Sequence, residues 1–158
     1  MICIKKADSL PTLITNIYIS IMLLLFPLFA GFSGYSNITF SKFMFFIICT
    51  AAWLIALIIA CIVEKEPLPP FALHQWAAVA FAFVCILSFI LSPYKKESLI
   101  GASRYDGLVT HLIYVLIFLG VSFFGKARAY HFIALSLSVF VCSIVAVFQL
   151  FNINIFYI

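Results

Sequence analysis

The sequence predicts an all-α integral membrane protein, a bundle of about five transmembrane helices, and three observations carry that expectation. First, 66% of the 158 residues are hydrophobic and only 9% are charged, against about 45–50% apolar and about 25% charged residues in a soluble domain. Nine Lys/Arg and five Asp/Glu are too few to cover the surface of a water-soluble body of this size, and nineteen Phe are too many for one small soluble core. Second, the apolar residues fall in five long runs. Third, those runs lack the strict apolar/polar alternation of a membrane β-barrel, so helices are the expected form. A soluble enzyme, a disordered tail, a coiled coil and a disulfide scaffold are excluded.

The spans follow from length. A hydrocarbon layer of roughly 30 Å needs about 20 apolar residues at about 1.5 Å each. The first expected span, 13–32, is interrupted only by Thr15, Asn16, Ser20 and Pro27. The second, 40–63, carries Lys42 near its start and is long enough to cross with tilt. The third, 71–91, stops at Ser92-Pro93. The fourth, 108–124, is the shortest, with Thr110 and His111 near one end; the fifth is 132–151. Together they make residues 1–158 one multi-pass membrane domain. Ala52, Ala56 and Ala60 recur every fourth residue in the second span, as do Ala134, Ser138, Cys142 and Ala146 in the fifth. Such stripes let helices approach closely.

Lys5 and Lys6 precede an apolar run longer than the 7–15 residues of a signal peptide, so an uncleaved first span is expected. Cys49, Cys61, Cys85 and Cys142 lie within spans and Cys3 before the first; no pair has metal-ligand spacing. No metal, cofactor or nucleic-acid partner is expected. With the N-terminus in the cytoplasm, the inner segments hold Lys5, Lys6, Lys65, Lys126 and Arg128, and the outer ones Lys42, Lys95, Lys96 and Arg104. That margin follows the tendency of cations to stay inside, and Lys126 and Arg128 read as a cytoplasmic stop signal.

The connection 92–107 is the longest in the chain and is expected outside. Ser-Pro ends the third helix there, Tyr94 and Tyr105 suit the interface, and Asp106 is placed to cap the fourth helix. Arg104 lies between Gly101 and Gly107, residues that let backbone approach a ligand closely. A guanidinium in that setting suits bidentate contact with phosphate. His111, one turn into the fourth helix, is a candidate general base or diphosphate donor.

The run Ser92-Pro93, Gly101, Arg104, Asp106-Gly107-Leu108, Thr110 resembles the Ser-Pro…Gly-x-x-Arg-x-(Glu/Asp)-Gly-Leu-x-Thr segment of the O-antigen ligase/O-antigen polymerase family. Its place after the third span resembles that family too, as does Ala146-Val-Phe-Gln149 with the polar stretch to Asn154. The resemblance implies a GT-C-like polytopic glycosyltransferase of the bacterial inner membrane. It would transfer glycan from undecaprenyl diphosphate at the outer face, without nucleotide sugar or metal. Arg104, Gly101, Gly107 and His111 would bind the lipid diphosphate, with basic groups stabilising charge on the leaving diphosphate. The catalytic residues of the family come from a large downstream loop, so the resemblance implies an N-terminal portion of a longer enzyme, inactive alone and partnered by its C-terminal half or another subunit.

The other polar residues suit structural roles. His74 with Gln75 and Trp76, and His131 beside Tyr130, read as interfacial anchors; Asn16 suits a bond to another helix. Two functions from other classes stay open. A transporter or flippase fragment would show mid-span charges or broken helices, at which only Pro27 hints. A non-catalytic membrane subunit would use 92–107 as a docking surface.

Overall fold

A computed structural model describes residues 8–29, 38–65, 70–101 and 104–151. Among them are six helices: α1 (Leu10–Leu28), α2 (Ile38–Glu64), α3 (Leu73–Leu91), α4 (Lys95–Ile100), α5 (Leu108–Phe124) and α6 (Ala129–Leu150). Lys5, Lys6, Cys3, the end of the first expected span and Asn152–Asn154 lie outside the described residues.

Four helices, α1, α2, α3 and α6, are long and apolar enough to cross a membrane, and the protein is membrane-embedded. The fourth expected span, α5, has the bounds read from the sequence but only 17 residues, about 26 Å at about 1.5 Å per residue. It falls short of a roughly 30 Å layer. The connection 92–107 is not an open loop, because six of its residues form α4. The first helix begins three residues earlier than expected: Pro11 occupies its first turn, where a missing N–H costs nothing.

The helix ends define two poles. At one, the backbone N–H of Leu10 donates to Glu64 Oε1 at 2.8 Å, joining the start of α1 to the end of α2. Asp8 accepts from Arg128 at 2.6 and 2.8 Å and from Lys126 at 3.1 Å, adding the α5–α6 linker to the same pole. Thus Lys126 and Arg128, read as a stop signal, are also ion-pair partners of Asp8. At the other pole, Lys42 of α2 reaches the Pro27 carbonyl at 3.5 Å, and Phe40 and Phe43 meet Tyr105. Lys42, α4 and residues 104–106 therefore share one end of the bundle.

Between the poles, α1 is central, packed against α2, α6 and α5, while α3 packs on α5. The core forms where an aromatic wedge fits a glycine gap. Trp53 of α2 stacks on Tyr18 of α1 with ring centres 4.5 Å apart and planes 12° apart. Its six-membered ring lies against Gly120 of α5, where an added Cβ would come within 2.4 Å of it. Leu57 and Phe124 complete the cluster. Two polar residues beside this cluster are paired, as a hydrocarbon interior favours: the Tyr18 hydroxyl bonds Thr50 Oγ1 at 2.9 Å, and Thr50 donates to the Phe46 carbonyl; on α6 the buried Ser138 Oγ has no partner among the described residues.

Three expectations are corrected here, and the partner of His74 is added. Of the two small-residue stripes, only Ala60 and Ser138 are buried; Ala52, Cys142 and Ala146 are exposed, so neither stripe is a continuous contact face. His131 is not an interfacial anchor but is buried, its Nδ1 bonding Ser20 Oγ and its Nε2 the Lys126 carbonyl. Among the described residues Asn16 bonds no other helix; its side-chain oxygen accepts from the Lys126 backbone N–H at 3.0 Å, pinning the linker. His74, exposed, bonds Ser122 of α5 at 2.8 Å, alongside Gln75, whose side chain also caps the start of α3 through the Ala72 N–H.

Candidate functional site

The pole carrying Lys42 and Arg104 holds a cleft of about 340 Å³ between α1, α2 and α5, roofed by residues 104–106. Helical spacing builds its walls. Thr39, Lys42, Phe43 and Phe46 recur at three- and four-residue steps on α2, and Thr110 and Tyr114 lie four apart on α5. Met22 and Phe26 come from α1. The aromatic lining is continuous: Phe26 meets Phe46 edge-on at 6.2 Å, and Phe46 meets Tyr114 at 5.5 Å. The result is an apolar, aromatic cleft with two cations, Lys42 and Arg104, and one carboxylate, Asp106, among its lining residues.

The roof is held by an unusual backbone. Tyr105 has φ +58°, the left-handed region that a bulky side chain rarely adopts, at a cost on the order of 1–3 kcal/mol. Its ring stacks on Phe43 with centres 4.6 Å apart and planes 14° apart, and its carbonyl accepts from the Thr110 hydroxyl. These contacts hold the turn that presents Arg104 and Asp106. Lys42 lies 5.9 Å above the Phe26 ring, within cation–π range. Arg104 is exposed and makes no ion pair or hydrogen bond with another described residue; Asp106 likewise has no such partner. Arg104 is therefore not neutralised by Asp106.

The four residues singled out from the sequence do not converge on one point. Arg104 lines the cleft with Lys42. Gly107 and His111 line a different cavity, between α3, α4 and α5, and Asp106 borders both. Gly101 lines neither. Its φ is +92°, and a Cβ there would meet the Asp106 nitrogen at 2.5 Å; at Gly107 a Cβ would meet the Leu99 carbonyl oxygen at 2.3 Å. The space beside both glycines is thus filled by the connection folding against itself, not left open for a ligand. Asp106 does not cap α5 either: Gly107 occupies the cap position, with no side-chain cap bond.

Lys95 and the aromatic pair also find their places. Lys95 donates to the Phe89 and Ile90 carbonyls at the end of α3 and sits 5.1 Å from the Phe89 ring, a cation satisfying the free carbonyls of a helix C-terminus. Tyr94 is largely exposed, whereas Tyr105 is half-buried against α2. The sequence reading missed Lys42 as a cleft residue. Its signal was the antiparallel path of the first spans, which puts the start of the second beside the 92–107 connection. Compared with known protein families, with curated proteins and with solved structures, the chain matches none.

Proposed function

We propose that the Lys42–Arg104 cleft binds the head of an anionic isoprenoid lipid, and that the chain is the N-terminal membrane portion of a lipid-diphosphate-dependent glycosyltransferase of the O-antigen ligase/polymerase kind. The observation that carries this reading is the pairing of two cations with an apolar aromatic cleft at one pole of a membrane-embedded bundle. A diphosphate complements Lys42 and the planar fork of Arg104, while Phe26, Phe46 and Tyr114 offer apolar surface to the first isoprene units. In this reading the cleft opens at the outer face of the bacterial inner membrane, the N-terminus is cytoplasmic, and the donor is a glycan on undecaprenyl diphosphate. Lys42 and Arg104 hold the diphosphate; stabilising the charge that grows on it as a leaving group is the contribution such a site makes to transfer.

Binding of undecaprenyl diphosphate to the chain in nanodiscs tests the reading. Hydrogen bonds to charged groups are worth about 1.5–3 kcal/mol, so Arg104→Ala should weaken binding roughly tenfold to a hundredfold. Arg104→Lys should weaken it less but clearly, since Lys offers a point charge in place of a fork. Lys95→Ala should leave it within about twofold, because Lys95 is committed to the end of α3. Unchanged affinity in a folded Arg104→Ala protein would refute the assignment.

A further inference from the structure

On the far side of Asp106 from the Lys42–Arg104 cleft lies the second cavity, about 410 Å³, lined by Phe81, Cys85, Ser88 and Phe89 of α3, Ser98 of α4, and Asp106 and His111. The chemistry of this cavity is set by one hydrogen bond. His111 Nδ1 lies 2.9 Å from the Gly107 carbonyl oxygen. A carbonyl only accepts, so Nδ1 carries the proton, and in the neutral ring Nε2 is left as a bare acceptor. Among the described residues nothing donates to it, and the ring's other neighbours are Phe81 and Tyr114.

We propose that this cavity is a second ligand site, separate from the Lys42–Arg104 cleft, which takes a neutral hydroxyl-rich ligand such as a sugar, with a ligand O–H donating to His111 Nε2. Three alternatives fit the lining less well. An anion would face Asp106 with no lining cation to offset it. A purely apolar ligand would leave His111 Nε2, the Asp106 carboxylate and the Ser88 hydroxyl unpaired as it displaced water, which is costly. An organic ammonium satisfies the Asp106 carboxylate, but a quaternary one has no N–H for His111 Nε2, and a primary one, which only donates, leaves the Ser88 hydroxyl proton without an acceptor. A sugar hydroxyl both donates and accepts. Ser98 is already tied to Ser92 at 2.7 Å, which orients it, and Phe81 and Phe89 give the cavity an apolar wall for the C–H face of a pyranose. The assignment stands on this lining alone and does not depend on what the Lys42–Arg104 cleft holds.

Cys85, half-buried in the lining, is a native reporter. The test uses the full chain in proteoliposomes with Cys3, Cys49, Cys61 and Cys142 replaced by Ala, and follows the rate at which methyl methanethiosulfonate modifies Cys85. At least one of glucose, galactose and N-acetylglucosamine should slow that reaction saturably, while inorganic pyrophosphate and tetramethylammonium should not. A neutral hydrogen bond is worth about 0.5–1.5 kcal/mol, so His111→Phe, which keeps the ring and removes the acceptor, should raise the half-protecting concentration about threefold to tenfold. Ser88→Ala, benign on an exposed helix position, should raise it in the same direction, and Lys96→Ala should not change it. The proposal fails if none of the three sugars protects, if pyrophosphate or tetramethylammonium protects instead, or if sugar protection is unaltered in both His111→Phe and Ser88→Ala.

Discussion

Gly120 is the residue on which the central packing turns, because it is the gap that admits Trp53. The indole is held on its other side by Tyr18, and its Nε1 reaches Thr15 Oγ1 at 3.4 Å, so it has little room to retreat. Gly120→Ala should therefore destabilise the fold by about 1–3 kcal/mol, the usual cost of overpacking, read as a lower unfolding midpoint in mixed micelles with a change in Trp fluorescence. A midpoint equal to wild type would show that the ring moves freely. Gly101 matters for backbone reasons. At φ +92° with the Asp106 nitrogen in the way, Gly101→Ala should disturb the connection and weaken anionic-lipid binding while leaving the helical content intact, which circular dichroism and a lipid-binding assay would separate. The sequence showed that Arg104 sat between glycines in the longest connection. It did not show why the glycines were there, since a close approach by backbone looks the same in sequence as a close approach by ligand. The left-handed Tyr105 was equally hidden, because nothing in its residue type announces that geometry.

At the scale of elements, the α1 start, the α2 end and the α5–α6 linker are tied together by charge at one pole. The Lys126 and Arg128 partners hold the Asp8 carboxyl below its ordinary value of 3.8, the hydrogen bond from Lys126 being the largest cause. A depressed carboxylate stabilises the fold above its unfolded pKa, and that contribution is lost as pH falls through the folded value. Wild type should accordingly be more stable than Asp8→Asn at neutral pH, and the two unfolding midpoints should converge as pH falls below about 4. A difference that persists at low pH would mean the ion pairs are not its source. The helices themselves were legible, since apolar run length fixes them: 108–124 was read with the bounds of α5, and the other spans lie within a few residues of theirs. Which face of a helix meets which neighbour was not legible. In lipid every face is apolar, so the small-residue stripes on α2 and α6 gave no reliable direction, and His131, which looked like an interfacial side chain, is buried by α1 through Ser20.

For the whole molecule, the two poles make topology and function one question. Lys42, α4 and Arg104 lie at the same pole, and the proposed function requires that pole to face outward. A cysteine placed at the exposed Lys96 position in an otherwise Cys-free chain should react with an impermeant thiol reagent in intact cells; reaction only after lysis would invert the orientation. Run length and the scarcity of charge made the membrane class readable from sequence. The split of the candidate residues between two cavities was not readable, because it depends on a turn at 104–107 that sends Arg104 toward α2 and leaves His111 facing α3. The central claim is that the Lys42–Arg104 cleft seats an isoprenoid diphosphate. The most direct measurement is photocrosslinking with a prenyl diphosphate bearing a benzophenone on its first isoprene units, mapped by mass spectrometry in nanodiscs. The account predicts adducts concentrated on Phe26, Phe46 and Tyr114, competed by undecaprenyl diphosphate and lost in Arg104→Ala. Adducts spread over the lipid-facing surfaces of α3 and α6, indifferent to competitor and to Arg104→Ala, would contradict it.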